Sequence, residues 1–269
     1  MKIGVFDSGL GGLTVLKELV KLLPHHSFIY FADTANCPYG HKSKDEIITL
    51  SKRITEFLIS KNCQAIVVAC NTATASAIDF LRENYDIPFI GMEPAVKPAA
   101  LSTKTKSIGV LATEGTFNGR LYRETTSKYA ANVNVTYQIG EGLVELVERG
   151  ESTSTQALEL LTKYVKPMVD NNIDHLVLGC THYPFFTPLL NKILPNNIRI
   201  INPAPAVAKQ TKRVLQQRNN EGSNDKGTLP SVHFYSSAII STLRMLVKEI
   251  ESNNGNFQNK EFFEKISLP

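Results

Sequence analysis

Short apolar runs alternate with amphipathic helical stretches from one end of the 269-residue chain to the other. Strand-length runs are expected at Lys2–Phe6, Phe28–Ala32, Ala65–Ala69, Pro88–Gly91, Ser107–Ala112, Asn134–Gln138, His175–Gly179, Arg199–Ile201 and Val232–Tyr235. Helical periodicity falls at Leu13–Leu23, Lys44–Lys61, Ala73–Tyr85, Thr116–Tyr129, Thr155–Asp170 and Ala206–Gln217. Unbroken apolar runs belong to strands buried on both faces, and regular strand–helix alternation builds mainly parallel sheets with helices on either side. The fold class is therefore α/β.

Two of the runs are versions of one unit. Gln64-Ala65-Ile66-Val67-Val68-Ala69-Cys70-Asn71-Thr72 and Asp174-His175-Leu176-Val177-Leu178-Gly179-Cys180-Thr181-His182 each put a cysteine directly after a buried strand. Open α/β sheets bind ligands at that carboxyl edge. Proline turns at Glu93-Pro94-Ala95 and Asn202-Pro203-Ala204-Pro205 suggest boundaries. The expectation is two similar α/β domains, residues 1–94 with 206–269 and residues 95–205, with the active site in the cleft between them. A carboxyl-terminal strand and helix ending near Ile250 return to the first domain. Arg218–Ser231 reads as an exposed loop and Asn253–Asn259 as a frayed tail.

Composition narrows the function classes. The apolar content of 42% and charged content of 20% are those of an ordinary globular protein, and the net charge of +4 is spread without a basic run. Nucleic-acid and membrane-surface binding are not indicated. No apolar stretch is long enough to span a bilayer and the amino terminus has no signal-peptide core, so a cytoplasmic location is the default expectation. Cys37, Cys63, Cys70 and Cys180 show no paired spacing. Neither disulfides nor a structural metal is expected, and the thiols are read as free.

Asp7-Ser8-Gly9-Leu10-Gly11-Gly12 follows the first strand and opens a helix. It satisfies neither the dinucleotide fingerprint nor the Walker pattern, and serves better as a turn that brings a small anion to backbone N–H groups. Asp7 is either a helix cap or a working acid. Buried cysteine is ordinarily an inert small hydrophobe. That suffices for Cys63 and is a fair account of Cys37, but it is a weaker one for the matched pair. A thiol before a helix is expected to be acidified by the partial positive charge there. His182 stands where it can exchange a proton with Cys180. A Cys/His hydrolase would leave the second thiol unexplained, whereas proton exchange at a carbon centre uses both, one removing a hydrogen and the other returning one to the opposite face. Tyr39 and Gly40, in Pro38-Tyr39-Gly40, and Thr113 and Thr116 sit at strand ends where they could wall a cleft. Glu148 reads as a solvated helix-end residue.

These motifs resemble one known family. Phe6-Asp7-Ser8-Gly9 with Gly11-Gly12-Leu13-Thr14, Pro38-Tyr39-Gly40, Val68-Ala69-Cys70-Asn71-Thr72-Ala73 and Leu178-Gly179-Cys180-Thr181-His182-Tyr183-Pro184 together resemble the glutamate racemases of the aspartate/glutamate racemase superfamily. The resemblance runs to about Asn202. It implies cofactor-independent, two-base interconversion of L- and D-glutamate, supplying D-glutamate to bacterial peptidoglycan, with the first cysteine acting on the D-enantiomer and the second on the L-enantiomer. It further implies assistance by Asp7 and His182, and substrate contacts at Ser8, Tyr39, Gly40, Asn71, Thr72, Thr181 and His182. Glu148 aligns with an assisting glutamate. The segment leading to it, Gly140 to Glu148, departs from the family's Cys-Pro-Leu-Phe-Val-Pro-Leu-Val-Glu pattern. An aspartate or hydantoin racemase, or a binding or regulatory homologue without activity, are the alternatives. The implied partner is a small carboxylate substrate, and a closed homodimer is the default assembly.

Overall fold

The computed structural model describes residues 1–218, 231–238, 240–252 and 261–268. The expected loop lies outside the described residues from 219 to 230, and the expected tail lies outside them altogether.

Two parallel sheets form the frame. The larger has the order β10-β9-β2-β1-β3-β4, built from β1 (Lys2–Asp7), β2 (Ser27–Ala32), β3 (Ala65–Val68), β4 (Phe89–Gly91), β9 (Val232–Ser236) and β10 (Glu261–Lys265). The smaller has the order β6-β5-β7-β8, built from β5 (Ser107–Ala112), β6 (Asn134–Ile139), β7 (His175–Gly179) and β8 (Arg199–Ile201). Every described pairing is parallel, from Ile3 opposite Phe28 to Val110 opposite Val177. Near-continuous apolar strands are stable only with helices on both faces, and that is what they receive. Ile3 and Val5 of β1 share one core with Leu13, Leu16 and Leu19 of α1 (Leu13–Leu22) and with Val207 of α10 (Ala204–Arg218). Phe6 of β1 points into the other core, with Ile54 and Leu58 of α2 (Lys44–Ser60) and Ile78 and Leu81 of α3 (Asn71–Asn84). The period of two along a strand separates these sets. Each such side chain contributes roughly 1.5–3 kcal/mol on burial.

The smaller sheet repeats the scheme. Ile108 and Val110 face Val96 and Ala99 of α4 (Val96–Ser102), while Leu111 and Leu176 face Leu161 and Met168 of α8 (Thr155–Asp170). In each sheet the chain lays one strand on one side of its starter and then crosses to the other side. The crossover lies between β1 and β3 in the larger sheet and between β5 and β7 in the smaller. Cys70 follows β3 and Cys180 follows β7, so each thiol stands at a topological switch point.

The structure corrects several boundaries. The helix expected over Thr116–Tyr129 is two, α5 (Glu114–Phe117) and α6 (Arg120–Tyr129), divided at Asn118-Gly119. Gly119 is extended there, and a β-carbon on it would come within 2.6 Å of Ala75 in α3. Close packing of the two domains, invisible in the helical periodicity, forces the break. The helix that Glu148 was expected to end is α7 (Leu143–Glu148), whereas the pattern missed α4, a 3₁₀ turn (Tyr183–Phe186), α9 (Thr187–Ile193) and the short strand β10. The returning strand is β9, which pairs with β2, and α11 (Ser241–Ser252) follows it. Among the described residues no helix is long and apolar enough to cross a membrane.

Asp174 fastens the start of β7. Its carboxylate accepts from Thr103 Oγ1 at 2.7 Å and from the N–H groups of Lys104 and Thr105, and pairs with His175 Nδ1 at 2.7 Å. Although burial opposes ionisation, these donors hold the carboxyl well below the usual range. A folded-state pKa below the unfolded value near 3.9 adds stability that is present above about pH 4 and is lost as pH falls further. Asp174→Asn should destabilise the protein by about 2 kcal/mol at neutral pH. In denaturant titrations across pH 3–7, the variant should also lose part of the parent's fall in stability on the acid side.

Candidate active site

The carboxyl ends of the two sheets face each other, and polar side chains knit them together. Thr181 Oγ1 donates to Asp7 Oδ1 at 3.2 Å, and Thr14 Oγ1 donates to the Thr181 carbonyl at 3.0 Å. On the far side Thr72 and Thr113 hydroxyls meet at 2.9 Å, Thr113 meets Thr116 at 2.9 Å, and Thr116 donates to the Gly179 carbonyl at 3.4 Å. Thr113 and Thr116, offered by their strand-end position alone, therefore join the constellation. Exposed ion pairs such as Arg120–Asp79 at 2.7 Å also bridge the rim, but pairs of that kind contribute only about 0–1 kcal/mol.

Asp7 is wholly buried at the end of β1. Its Oδ2 accepts the N–H groups of Gly9 at 3.1 Å and Gly12 at 3.2 Å, which folds the glycine turn over the strand end. Gly11 then passes so close to the second cysteine loop that a β-carbon would run into the His182 ring and lie 2.6 Å from its backbone nitrogen. The glycines serve this approach and not a phosphate cradle. Burial raises the Asp7 carboxyl above its ordinary value, against the pull of the His182 charge and the two N–H donors.

Cys70 caps α3 through its sulfur, which accepts the Ala73 N–H at 3.4 Å and lies 3.5 Å from Ser8 Oγ. The helix-start effect exists, yet the expected acidification does not result. Burial, reinforced by the negative charge of Asp7, pushes the Cys70 thiol up to about 12 despite those donors. Asp7 and Cys70 thus resist carrying negative charge together.

The second thiol has different company. Cys180 Sγ stands 3.7 Å from His182 Nδ1, and His182 Nε2 stands 2.6 Å from Glu148 Oε1. Burial works against a charge on this imidazole, but hydrogen bonds to Cys180, Cys37 and Glu148 overcome it and raise the ring well above its ordinary pKa. As an imidazolium it donates from both nitrogens. The Gly11 N–H, 3.2 Å from Nε2, has an acceptor there only when the ring is neutral with Nε2 bare.

Glu148 is not the solvated helix-end residue that its charge suggested. It ends α7 at the domain junction, and its Oε1 also accepts the Leu10 N–H at 2.6 Å. Cys37 departs from the inert reading too, because its sulfur lies within 4.8 Å of ligand atoms of His182 and Glu148. Burial pushes its thiol up to about 12. Only the tertiary fold brings residues 37, 148 and 182 together, so no spacing could have signalled them. Tyr39 is buried and donates to Asp33 Oδ2 at 2.6 Å, which fixes the loop carrying Gly40, and Gly40 lies against Thr113. Asn71 Oδ1 is buried with no partner. All four cysteines are free, and Cys63 packs behind β1 as the bland reading expected.

A family model described as Asp/Glu/Hydantoin racemase matches residues 3–211. The chain belongs to that racemase family. A glutamate racemase of Herpetosiphon aurantiacus is 48% identical over 79% of this chain and 84% of its own length. Solved racemases of the family share the whole fold. The Escherichia coli glutamate racemase, in complex with L-glutamate and activator UDP-MurNAc-ala, superposes with a TM-score of 0.85 at 30% identity, over 100% of this chain and 98% of that one. The Francisella tularensis glutamate racemase in complex with D-glutamate gives 0.82 at 31%, over 99% and 97%.

Because Glu148 helps hold His182 charged, Glu148→Gln should move the His182 titration to lower pH. Imidazole ¹⁵N NMR across pH 5–9 measures this, and an unchanged titration would refute the assigned link.

Proposed function

We propose that the chain is a glutamate racemase in which Cys70 and Cys180 work on opposite faces of the substrate α-carbon. The observation that carries this is the placement of the two buried thiols at the switch points of two facing sheets, with a different proton partner beside each. The names of relatives at up to 48% identity supply the substrate.

The α-hydrogen is far less acidic than a thiol, so removal needs a positioned base and a dry site with fixed donors for the developing charge. Both thiols are at least nine-tenths buried. The first N–H groups of α3, at Asn71 and Thr72, have no intrahelical partner and are available as carboxylate donors. The orphaned Asn71 Oδ1 suits the substrate ammonium, since an unsatisfied buried acceptor costs about 1–3 kcal/mol. Ser8, Tyr39, Gly40, Thr113, Thr116 and Thr181 shape the remaining walls.

The two sides are chemically unequal. Cys70, held as a neutral thiol beside Asp7, is set to give a proton. Cys180, with His182 Nδ1 in reach, is set to remove one. That state takes the L-enantiomer to the D-enantiomer: the Cα–H bond breaks toward the Cys180 sulfur, and Cys70 delivers its proton to the opposite face. Product formation leaves the thiols with exchanged protonation, ready for the reverse reaction, with Asp7 and with His182 and Glu148 adjusting charge on their own sides. The acid and the base are both supplied by the chain, and D-glutamate for peptidoglycan is the product this reading assigns.

Incubation of L-glutamate with the protein in deuterated water, with no cofactor added, should give D-glutamate with deuterium at the α-carbon. Cys70→Ser and Cys180→Ser should each lose racemisation by at least about 10²-fold. Loss in one variant alone would rule out the two-thiol scheme, and racemisation of aspartate but not glutamate would reassign the substrate.

A further inference from the structure

Three ligand-type side chains meet at the edge of this site in a way that proton transfer does not require. Cys37 Sγ, a carboxylate oxygen of Glu148 and a ring nitrogen of His182 all lie within 4.8 Å of one another, and Nε2 is the nitrogen that meets Glu148 Oε1, at 2.6 Å. They come from three separate segments, the loop after β2, the end of α7 and the turn after β7. A thiolate, an imidazole and a carboxylate form a set that a tetrahedral zinc ion accepts, with bonds of about 2.3, 2.0 and 2.1 Å. Ligand atoms around such an ion stand roughly 3.3–3.7 Å apart, so the 2.6 Å His182–Glu148 contact must open by only about 1 Å.

The surroundings favour occupancy in three respects. A thiolate and a carboxylate neutralise a divalent cation, so the half-buried site gains no net charge. Cys37 and Glu148 line a groove of about 300 Å³, which gives the ion a path and a fourth, water ligand a place. The other ring nitrogen, Nδ1, faces Cys180 Sγ at 3.7 Å and Thr181 Oγ1 at 3.5 Å. A metal-bound histidine normally keeps its second N–H in a hydrogen bond, which fixes its tautomer, and these two atoms are within reach of it.

We propose that Cys37, Glu148 and His182 form an inhibitory binding site for a thiophilic divalent cation such as Zn²⁺. Binding releases two protons to solvent, one from the Cys37 thiol and one from Nε2 of the His182 imidazolium, and leaves the ring neutral with its remaining proton on Nδ1. With Nε2 and the Glu148 carboxylate both held by the ion, the His182–Glu148 contact beside Cys180 is broken, and that pair can no longer adjust charge on the Cys180 side during turnover. The inhibitory consequence rests on the racemase reading above, whereas the binding itself does not.

Cobalt(II) reports on both geometry and thiolate ligation, so binding is read first, on substrate-free, metal-free protein at one fixed pH. One equivalent of Co²⁺ should give tetrahedral d–d absorption and a thiolate charge-transfer band, and Zn²⁺ should abolish both. Cys70→Ser and Cys180→Ser should keep the band. Cys37→Ser should lose it, with affinity reduced at least about tenfold. Survival of the band in Cys37→Ser, or its loss in Cys180→Ser, overturns the site. If Cys37→Ser fails to fold, mass spectrometry of the parent decides: Zn²⁺ should protect Cys37 from N-ethylmaleimide, and equal labelling with and without zinc overturns the proposal. In the racemisation assay Zn²⁺ should inhibit and a chelator restore the rate. Full activity at zinc concentrations that saturate the cobalt-competition assay overturns the inhibitory half alone.

Discussion

The carboxylate of Asp7 is buried at the end of a central strand and still gathers three donors, the N–H groups of Gly9 and Gly12 and the hydroxyl of Thr181. The rest of the cleft depends on that arrangement. The first two bonds fold the glycine turn, and the third reaches across to the other domain and seats the second cysteine loop on it. With Thr181 placed, Thr14 can bond its carbonyl, Gly11 can pass against the His182 ring, and Leu10 can present its N–H to Glu148. A buried carboxylate without such donors would be unaffordable in a low-dielectric site. With them it becomes the joint between two sheets.

That joint also divides the charges. On the β3 side, burial and the Asp7 charge keep Cys70 a thiol, although α3 begins beneath it and Ala73 donates to its sulfur. On the β7 side, a ring flanked by Cys180, Cys37 and Glu148 holds a positive charge that burial alone would refuse it. The same strand-and-thiol unit, used twice, is thereby given neighbours of opposite charge. Desolvation outweighs the helix-end field at Cys70 because the field is the contribution of one turn, while burial acts on the whole charge.

Much of this was legible before the fold. The strands over Ser107–Ala112 and His175–Gly179 match β5 and β7 to the residue, since a buried parallel strand writes itself as an unbroken apolar run. Asp7, Ser8, Asn71, Thr181 and His182 were drawn to the cleft edge by their places after strands and by resemblance. The errors have a common source. The break at Gly119, the burial of Glu148 at the domain junction and the position of Cys37 are all decided by what the other domain puts opposite them. A single helix period, or the usual exposure of a charged residue, carries no information about a surface contributed from a distant part of the chain.

The sequence by itself determined the parallel α/β frame, the duplicated strand-and-cysteine unit and the racemase family, because these rest on local patterns that persist in any register of the whole. The tertiary structure decided which groups share protons. Whether a thiol is acid or base depends on what desolvates it and which charge stands beside it, and here the groups of the site come from segments up to 174 residues apart, as between Asp7 and Thr181.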